Sequence, residues 1–324
     1  MKTRNISILL VIVIFSAGFA SAQGRWTINR EKGEGDLISV YFTSSKDGWV
    51  AGDKGFLAYT NDGGKSWNKT VLSTVANINE IYFRNDNNGY LVAGRKMFQT
   101  SDGGKNWRED LIVNPAEFKD GIPEFLSIRF NSKDQGFIVG TIIDKNDEER
   151  IIGSLLLRTM DGGKTWSRIA IPAKVELFNL DFDGKSNGWI VGDEGTIFAT
   201  RDKGNSWVKQ NSGTDAALYS VHFRDNDNGF AVGMDGTVVA TTDGGNTWHG
   251  RKLDFKGTLF RVFFVNKNEG WIVGSKGNVF RTVDRGETWF PDLKLTNNSL
   301  YGLFMNKKYG WAVGSEGVII KYEK

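Results

Sequence analysis

The 324 residues are 40 % hydrophobic, with 40 Gly, 4 Pro, 11 Trp and no Cys, the profile of a turn-rich globular chain without disulfides. A formal charge of +3, from 41 Lys and Arg against 38 Asp and Glu, is too small to imply electrostatic capture of nucleic acid or anionic lipid. With no thiol and only two histidines, His222 and His249, thiol catalysis, thiolate metal sites and multi-histidine metal sites are excluded.

The chain opens on what reads as an export signal over residues 1–22. Lys2 and Arg4 give a positive start, residues 6–15 are apolar apart from Ser7, and Ala20-Ser21-Ala22 fits a small-x-small cleavage site. The apolar run is shorter than the roughly 20 residues that span a bilayer. Residues 23–324 are therefore expected in the periplasm or outside the cell, after cleavage near Ala22, with no membrane span and no cysteine to carry a lipid anchor.

Next comes Arg25-Trp26-Thr27-Ile28, which matches a later segment, Thr165-Trp166-Ser167-Arg168-Ile169, that leaves a turn. That turn belongs to an eight-residue pattern with Thr two before an Asp, Gly two after it and Trp five after it. The pattern occurs six times, at Asp62/Trp67, Asp102/Trp107, Asp161/Trp166, Asp202/Trp207, Asp243/Trp248 and Asp284/Trp289. An Asp carboxylate that bonds nearby backbone N–H groups, a Gly free to take φ > 0 and a large apolar anchor that enters the next strand make a rigid hairpin turn pinned to a core. Six equivalent copies must serve something that every repeat needs, so these aspartates read as structural rather than catalytic.

Between these turns lies a second pattern, as in Leu259-Phe260-Arg261-Val262-Phe263-Phe264, a polar turn, then Gly270-Trp271-Ile272-Val273-Gly274, a short loop and Val279-Phe280-Arg281-Thr282. With the run after the Trp it makes a four-stranded antiparallel meander. The glycines that open the second strand, Gly48, Gly89, Gly136, Gly188, Gly229, Gly270 and Gly310, recur at spacings of 41, 47, 52, 41, 41 and 40 residues, the length of a propeller blade. The seventh repeat stops after three strands, and the strand around Trp26 is expected to supply its fourth. The reading is all-β: a seven-bladed β-propeller of four-stranded antiparallel blades over residues 23–324, its last blade closed by the N-terminal strand. Every Trp then has a structural place, so none is left over to argue for a sugar platform.

Two stretches break the spacing near the third repeat. Residues 110–124, with Pro115 and Pro123, lengthen the connection into it, and residues 141–152 replace the tight loop seen elsewhere as Asp193-Glu194-Gly195. Both are expected on the blade face opposite the Asp turns, and Asp144, Lys145, Glu148 and Arg150 are the candidate binding residues there.

The first strand of each repeat lines the central channel. Its last position is uniformly apolar: Phe42, Phe83, Phe130, Phe182, Phe223, Phe264 and Met305. One residue earlier stand Tyr41, Tyr82, Arg129, Asp181, His222, Phe263 and Phe304, and two earlier again Ser39, Glu80, Ser127, Asn179, Ser220, Arg261 and Gly302. This places Glu80, Arg129, Asp181, His222 and Arg261 around one axis as candidate channel-binding residues, with mutual pairing as their ordinary role. Glu80 with Asp181 is the one carboxylate pair near the axis that a glycosidase mechanism would have to use. Asp225-Asn226-Asp227-Asn228-Gly229 has the flavour of a calcium loop but incomplete spacing, and reads as a solvated turn. No cofactor or metal site is expected.

The Asp turns resemble the Asp-box, or bacterial neuraminidase repeat, S/T-x-D-x-G-x-T/S-W, and five of the six copies match fully; Asn106 stands where the sixth should carry a hydroxyl. Together with the Gly188-Trp189-Ile190-Val191-Gly192 type of second strand and the closing N-terminal strand, the chain resembles the photosystem II stability/assembly-factor family over nearly its whole length after the signal. That resemblance implies an exported, non-catalytic propeller, a monomer, acting as a scaffold on a protein partner, in the form of a membrane complex or its assembly intermediate. The family's members display an arginine-rich surface patch; here Arg158, Arg281 and Lys321 share one third-strand position, but the arginines are scattered and do not map onto that patch. The alternative is a glycan-binding or glycoside-hydrolysing propeller. Sialidases, however, are six-bladed and carry an Arg-Ile-Pro motif where this chain has Arg168-Ile169-Ala170, and the Asp-box xyloglucan hydrolases use two propellers.

Overall fold

The computed structural model describes residues 24–324 apart from Glu31, Lys252 and Leu293; the export signal expected over residues 1–22 lies outside the described residues. Among the described residues the chain forms seven four-stranded antiparallel sheets, in each of which the first strand of the repeat is innermost and its successors step outward in order. The innermost strands are Leu37–Phe42, Ile78–Phe83, Gly121–Phe130, Leu177–Asp183, Leu218–Phe223, Leu259–Phe264 and Leu300–Met305. In the seventh sheet the outermost place is taken by Arg25–Arg30, paired with Ile319–Glu323 in the register Trp26 to Tyr322 and Ile28 to Ile320. The expected closure by the N-terminal strand is what the fold adopts. No described helix is long and apolar enough to cross a membrane.

A repeated three-ring joint holds adjacent blades together. The innermost-strand Phe223 stacks on Trp189 of the preceding blade at 3.3 Å between ring centroids, and the Asp-box Trp248 meets Phe223 edge-on at 5.8 Å. Phe83, Trp49 and Trp107 repeat the arrangement, as do Phe264, Phe230 and Trp289. So do Phe130, Tyr90 and Trp166. Trp67 meets Phe42 edge-on at 6.1 Å, with Trp311 stacked on the same ring, and Trp207 meets Phe182 at 6.1 Å and Phe137 at 6.0 Å. Such contacts add to the apolar burial of the rings themselves.

The expectation for these tryptophans needs one correction. Trp67 and Trp207 do not enter the next strand; they stand immediately before it, since the outermost strands begin at Asn68 and Val208. That last turn position lets the indole lie edge-on to the Phe ring instead of alternating with the strand. Their burial also differs. Trp207, Trp248 and Trp289 are buried, whereas Trp67, Trp107 and Trp166 are half-buried, so the anchor of the first three boxes stays partly open at the outer edge.

The second-strand glycine has its cause in the same joint: a Cβ on Gly48 would lie 2.4 Å from the Phe42 ring. The seventh blade, with Met305 and no Asp box, builds its joint from Trp26, Tyr322 and Trp271, with centroid distances of 5.4 and 5.3 Å.

Each Asp box is a closed hydrogen-bonded turn. In the first, Asp62 Oδ1 accepts from Thr60 Oγ1 and from the Ser66 N–H, Oδ2 accepts from Ser66 Oγ, and Thr60 Oγ1 accepts from the Gly64 N–H. The divergent second box keeps the circuit because the Asn106 amide donates to Asp102 Oδ2 at 2.7 Å. These donors, the side chain at the Ser66 position first, pull Asp62, Asp102, Asp161, Asp202 and Asp243 down from 3.8 to about 2. A carboxylate whose pKa is depressed by folding contributes stability that is complete above its unfolded value and lost as pH falls through the folded one. The protein is therefore expected to lose stability steeply between about pH 4 and pH 2, and Asp→Asn changes at several boxes to flatten that slope. A melting temperature independent of pH across that window in the unmodified protein would refute this assignment.

Candidate functional site

A β-bulge in each innermost strand, four residues before its Phe42-equivalent position, shapes the channel. In all seven strands a register slip of this kind occurs, for example between Leu37 and Ser39 and between Leu259 and Arg261. Beyond the bulge alternate residues face the axis. There, polar side chains tie four of the blades to the next: Ser39 accepts from the Ile81 N–H, Glu80 from Ile128, Asn179 from Val221 and Ser220 from Val262.

The predicted channel residues do converge. Glu80, Arg129, Asp181, His222 and Arg261 line one cavity of about 210 Å³. Glu80 is buried and fully engaged: Arg129 lies at 2.8 Å from Oε1, and Ser127 Oγ and the Ile128 N–H bond Oε2 at 2.6 and 2.9 Å. Burial works against the charge of Arg129, but Glu80 and then Asp181 outweigh it and hold its pKa above the ordinary arginine value. Asp181 Oδ2 lies 3.2 Å from His222 Nδ1 and accepts from the Phe223 N–H, and His222 Nε2 faces the Phe264 carbonyl at 3.3 Å. Tyr41 donates to the Phe83 carbonyl, and burial pushes its phenol up to about 12. Glu80 and Asp181 are thus each occupied with their own partners inside the ring. Arg261 differs from the rest: it is a pure donor at a position where five of its six equivalents accept, and its counter-charge, Glu80 Oε1, stands off at 3.8 Å.

Above this ring the channel opens into a funnel that sequence reasoning misses. Its wall includes the bulge residues of the innermost strands, Ile38, Asn79, Leu126, Phe178, Tyr219, Phe260 and Tyr301, and its volume is about 340 Å³. Four of these are aromatic and run across consecutive blades, with centroid distances of 4.9 Å for Phe178–Tyr219, 5.9 Å for Tyr219–Phe260 and 5.0 Å for Phe260–Tyr301. The rim is acidic. Asp36 and Asp53 line it directly. Burial pushes the Glu176 carboxyl up, with Glu124 and Asp193 adding to the effect, and the Tyr219 phenol is raised by burial and then by Asp193 and Glu176. Arg261 belongs to the lining of both funnel and channel and so forms the floor between them.

The two predicted insertions rise from the funnel wall, the second largely as sheet and the first as a loop with a short 3-10 turn, Pro115–Glu117, that enters the sheet at Gly121. Gly121–Phe130, Gly136–Asp144 and Asp147–Thr159 pair from Gly121 opposite Asp144 downward, which makes a three-stranded tongue on the third blade. Ile142 is buried in one cluster with Phe118 and Ile112, and the backbone N–H of Lys145 reaches the Asp120 carbonyl, so residues 110–124 and 141–152 do meet on one face. Glu124 connects tongue to funnel by accepting from Asn79 at 3.5 Å. At the tip Lys145, Glu148 and Arg150 are exposed or nearly so and Asp144 is half-buried, with Arg150 3.5 Å from Asp144 Oδ2. Asp144, Asp147, Glu148 and Glu149 outweigh Lys145 and Arg150, so the tip extends the acidic rim.

The remaining candidates each have local partners, although the Nε atoms of Arg158 and Arg281 are buried without one among the described residues. Arg158 bonds Asn205, Arg281 pairs with Glu269 over the Trp271 ring, and Lys321 pairs with Glu323 over Trp311; the three stand on separate blades. Asp225 Oδ1 accepts from the N–H groups of Asp227 and Asn228 and from the Asn228 amide, which makes that segment a side-chain-closed turn. No group of three or more His, Cys, Asp or Glu among the described residues is arranged to hold a metal ion.

A family model described as photosynthesis system II assembly factor YCF48 matches residues 67–176, 206–298 and 258–323. No curated protein matches the chain in sequence. Among solved structures, a YCF48 bound to a D1 peptide superposes with a TM-score of 0.70 at 21 % identity, over 93 % of this chain and 95 % of that one. YCF48 from Cyanidioschyzon merolae gives a TM-score of 0.70 at 17 % identity over 92 % and 98 % of the two chains. A virginiamycin B lyase from Staphylococcus aureus gives 0.76 at 12 % identity over 93 % and 100 %. At these identities the likeness to the solved structures is one of fold.

Proposed function

From the premise that the chain belongs to the photosynthesis system II assembly factor YCF48 family, we propose that it is an exported, non-catalytic scaffold that holds a polypeptide segment of a membrane complex during assembly. The observation that carries this reading is the aromatic arc Phe178, Tyr219, Phe260 and Tyr301 in an open funnel beside an acidic tongue. Aromatic rings supply rigid contact area at low entropic cost, and an acidic rim steers basic segments toward it. A segment with apolar and basic side chains fits both features. The D1 peptide held by a YCF48 of the same fold supports a peptide as the ligand class. The commitment of Glu80 and Asp181 to their own partners supports a binding role over hydrolysis.

The test is crosslinked affinity capture from the envelope fraction of the source cell with wild type and a Phe178→Ala/Phe260→Ala variant, read by mass spectrometry. Wild type is expected to enrich subunits of a membrane complex, and the variant to lose at least about tenfold, since truncating central aromatic anchors costs ~2 kcal/mol or more. Equal enrichment by both proteins would overturn the funnel as the binding surface. Capture of glycan in place of protein would favour the second reading, a glycan-binding propeller, for which the same stacked rings offer apolar faces.

A further inference from the structure

Arg261 breaks the rule of its own ring. At the positions equivalent to it Ser39, Glu80, Asn179 and Ser220 each accept a backbone N–H from the following blade, and Ser127 accepts from the Asn179 side-chain amide of the following blade. An arginine has no acceptor atom and cannot make that tie. The following blade offers nothing in exchange, since its equivalent residue is Gly302, held small because a Cβ there would lie 2.8 Å from the Ile38 carbonyl oxygen. Glu80 is the counter-charge, but its oxygens are already taken by Arg129, Ser127 and the Ile128 N–H, and Arg261 stands back at 3.8 Å. The side chain is four-fifths buried, with 19 % exposed, and among the described residues it makes no hydrogen bond. Burial lowers its pKa, Glu80 partly restores it and Arg129 lowers it further. None of its guanidinium nitrogens is sealed off from the cavities it lines, so they stay open to a ligand. Leaving the pattern of its ring for one long ion pair marks Arg261 as a candidate functional position.

We propose that Arg261 makes the funnel floor a carboxylate-binding site, which takes a carboxylate carried at the end of an apolar body. The planar guanidinium has several N–H groups free to fork onto two carboxylate oxygens, and such charge-assisted pairs are the strong ones. The apolar body lies against Phe178, Tyr219, Phe260 and Tyr301 on the way down. Asp36 and Asp53 at the rim select against further negative charge along the ligand. A volume of about 340 Å³ is in the range of sites that enclose small organic groups. The inference deepens the scaffold reading and rests on it: the polypeptide segment held there presents its chain terminus to the funnel. A free apolar acid shares this chemistry and is distinguished by the test.

The test is fluorescence polarisation with fluorescein-labelled Gly-Lys-Ser-Gly-Ala-Leu-Phe made as the free acid and as the C-terminal amide, with 4-phenylbutyrate as an unlabelled competitor. The free acid is expected to bind wild type about tenfold more tightly than the amide, the worth of one charge-assisted pair. Arg261→Gln is expected to abolish that preference while leaving weak amide binding in place. The comparison of acid with amide on wild type needs no variant, so a folding defect in Arg261→Gln cannot hide the answer. Equal binding of the two peptides to wild type, a preference that survives in Arg261→Gln, or no binding of either peptide or of 4-phenylbutyrate would each overturn the proposal. If 4-phenylbutyrate binds in an Arg261-dependent way and neither peptide does, the carboxylate site stands and the polypeptide reading fails. If envelope capture depends on Phe178 and Phe260 but not on Arg261, the scaffold reading stands and the carboxylate site fails.

Discussion

A protein that begins at residue 31, and so lacks the strand Arg25–Arg30, is expected to melt on the order of 10 °C or more below one that begins at Gln23, and to aggregate on heating. Three losses combine. Trp26 is 2 % exposed and packs with Tyr322 and Trp271, and deleting so large a buried side chain costs ~3–5 kcal/mol. The Arg30 guanidinium no longer bonds the Gly317 carbonyl, which removes a side-chain tie within the seventh blade. Most important, Ile319–Glu323 becomes an edge. Its residues Ile319, Ile320 and Tyr322 are all buried in the closed ring, and a bare apolar edge strand is a template for pairing with another chain.

The measurement is calorimetry of three proteins: one beginning at Gln23, the truncated form, and Trp26→Ala. The order of melting temperatures should be full strand, then Trp26→Ala, then truncation. A synthetic peptide spanning residues 24–32, added to the truncated protein, should raise its melting temperature with peptide concentration, because a ligand that binds only the folded state stabilises it by mass action. A truncated protein that melts within about 2 °C of the complete one would show that the ring does not depend on this strand.

The closing strand is legible in the sequence because it repeats a signal. Arg25-Trp26-Thr27-Ile28 matches the segment that leaves an Asp box, and the seventh repeat lacks that very piece. Gly48 and its equivalents, the six boxes and the alternating innermost strands are legible for the same reason: each local preference recurs seven or nearly seven times and points to one fold. The depth of the box tryptophans is not: Trp67 and Trp207 carry the same motif, yet one is half-buried and the other buried, because burial depends on the neighbouring blade and not on the box. The funnel is not legible either. Strict alternation back from Phe182, Phe223 and Phe264 turns Phe178, Tyr219 and Phe260 toward the core; the bulge reverses them and buries Leu177, Leu218 and Leu259 instead. Nothing in composition announces a bulge whose extra residue is an ordinary aromatic rather than a glycine. The tongue is hidden for another reason. Pro115, Pro123 and the polar run 144–150 look like loop, yet Ile142 and Ile143 pair across from residues 151–153, and Pro123 falls on the innermost strand, a sheet edge where proline is tolerated. Arg261 is visible as a channel residue, but its singularity depends on what Glu80 and Gly302 do, which only the packed ring reveals.

An equally large single-residue effect on stability is expected at Trp189. It is fully buried, stacks on Phe223 at 3.3 Å, and its indole N–H bonds the Gly244 carbonyl of the next blade's Asp box at 3.1 Å. Trp189→Ala removes the central ring of the joint between the fourth and fifth blades and is expected to cost ~3–5 kcal/mol. Trp189→Phe should cost only ~1 kcal/mol, the worth of the indole hydrogen bond, since Phe137 and Phe230 hold the equivalent place in other blades without one. The joint also predicts a coupling. Gly245 sits at φ +91° with its missing Cβ 2.8 Å from the Trp189 indole nitrogen. Gly245→Ala therefore suffers both a strained backbone and a clash in wild type, but only the strain in Trp189→Ala, so the double mutant should be more stable than the sum of the single losses by ~1 kcal/mol or more. Strict additivity would mean that box and indole do not meet. The same joint sets the distance between blades four and five at the funnel, where Phe178 and Tyr219 stand 4.9 Å apart. Trp189→Ala should therefore weaken ligand capture as well as stability, although Trp189 lies outside the funnel lining, whereas Trp189→Phe should leave capture intact. Unchanged capture by Trp189→Ala at a temperature where it is fully folded would show that the aromatic arc is held by the innermost strands alone.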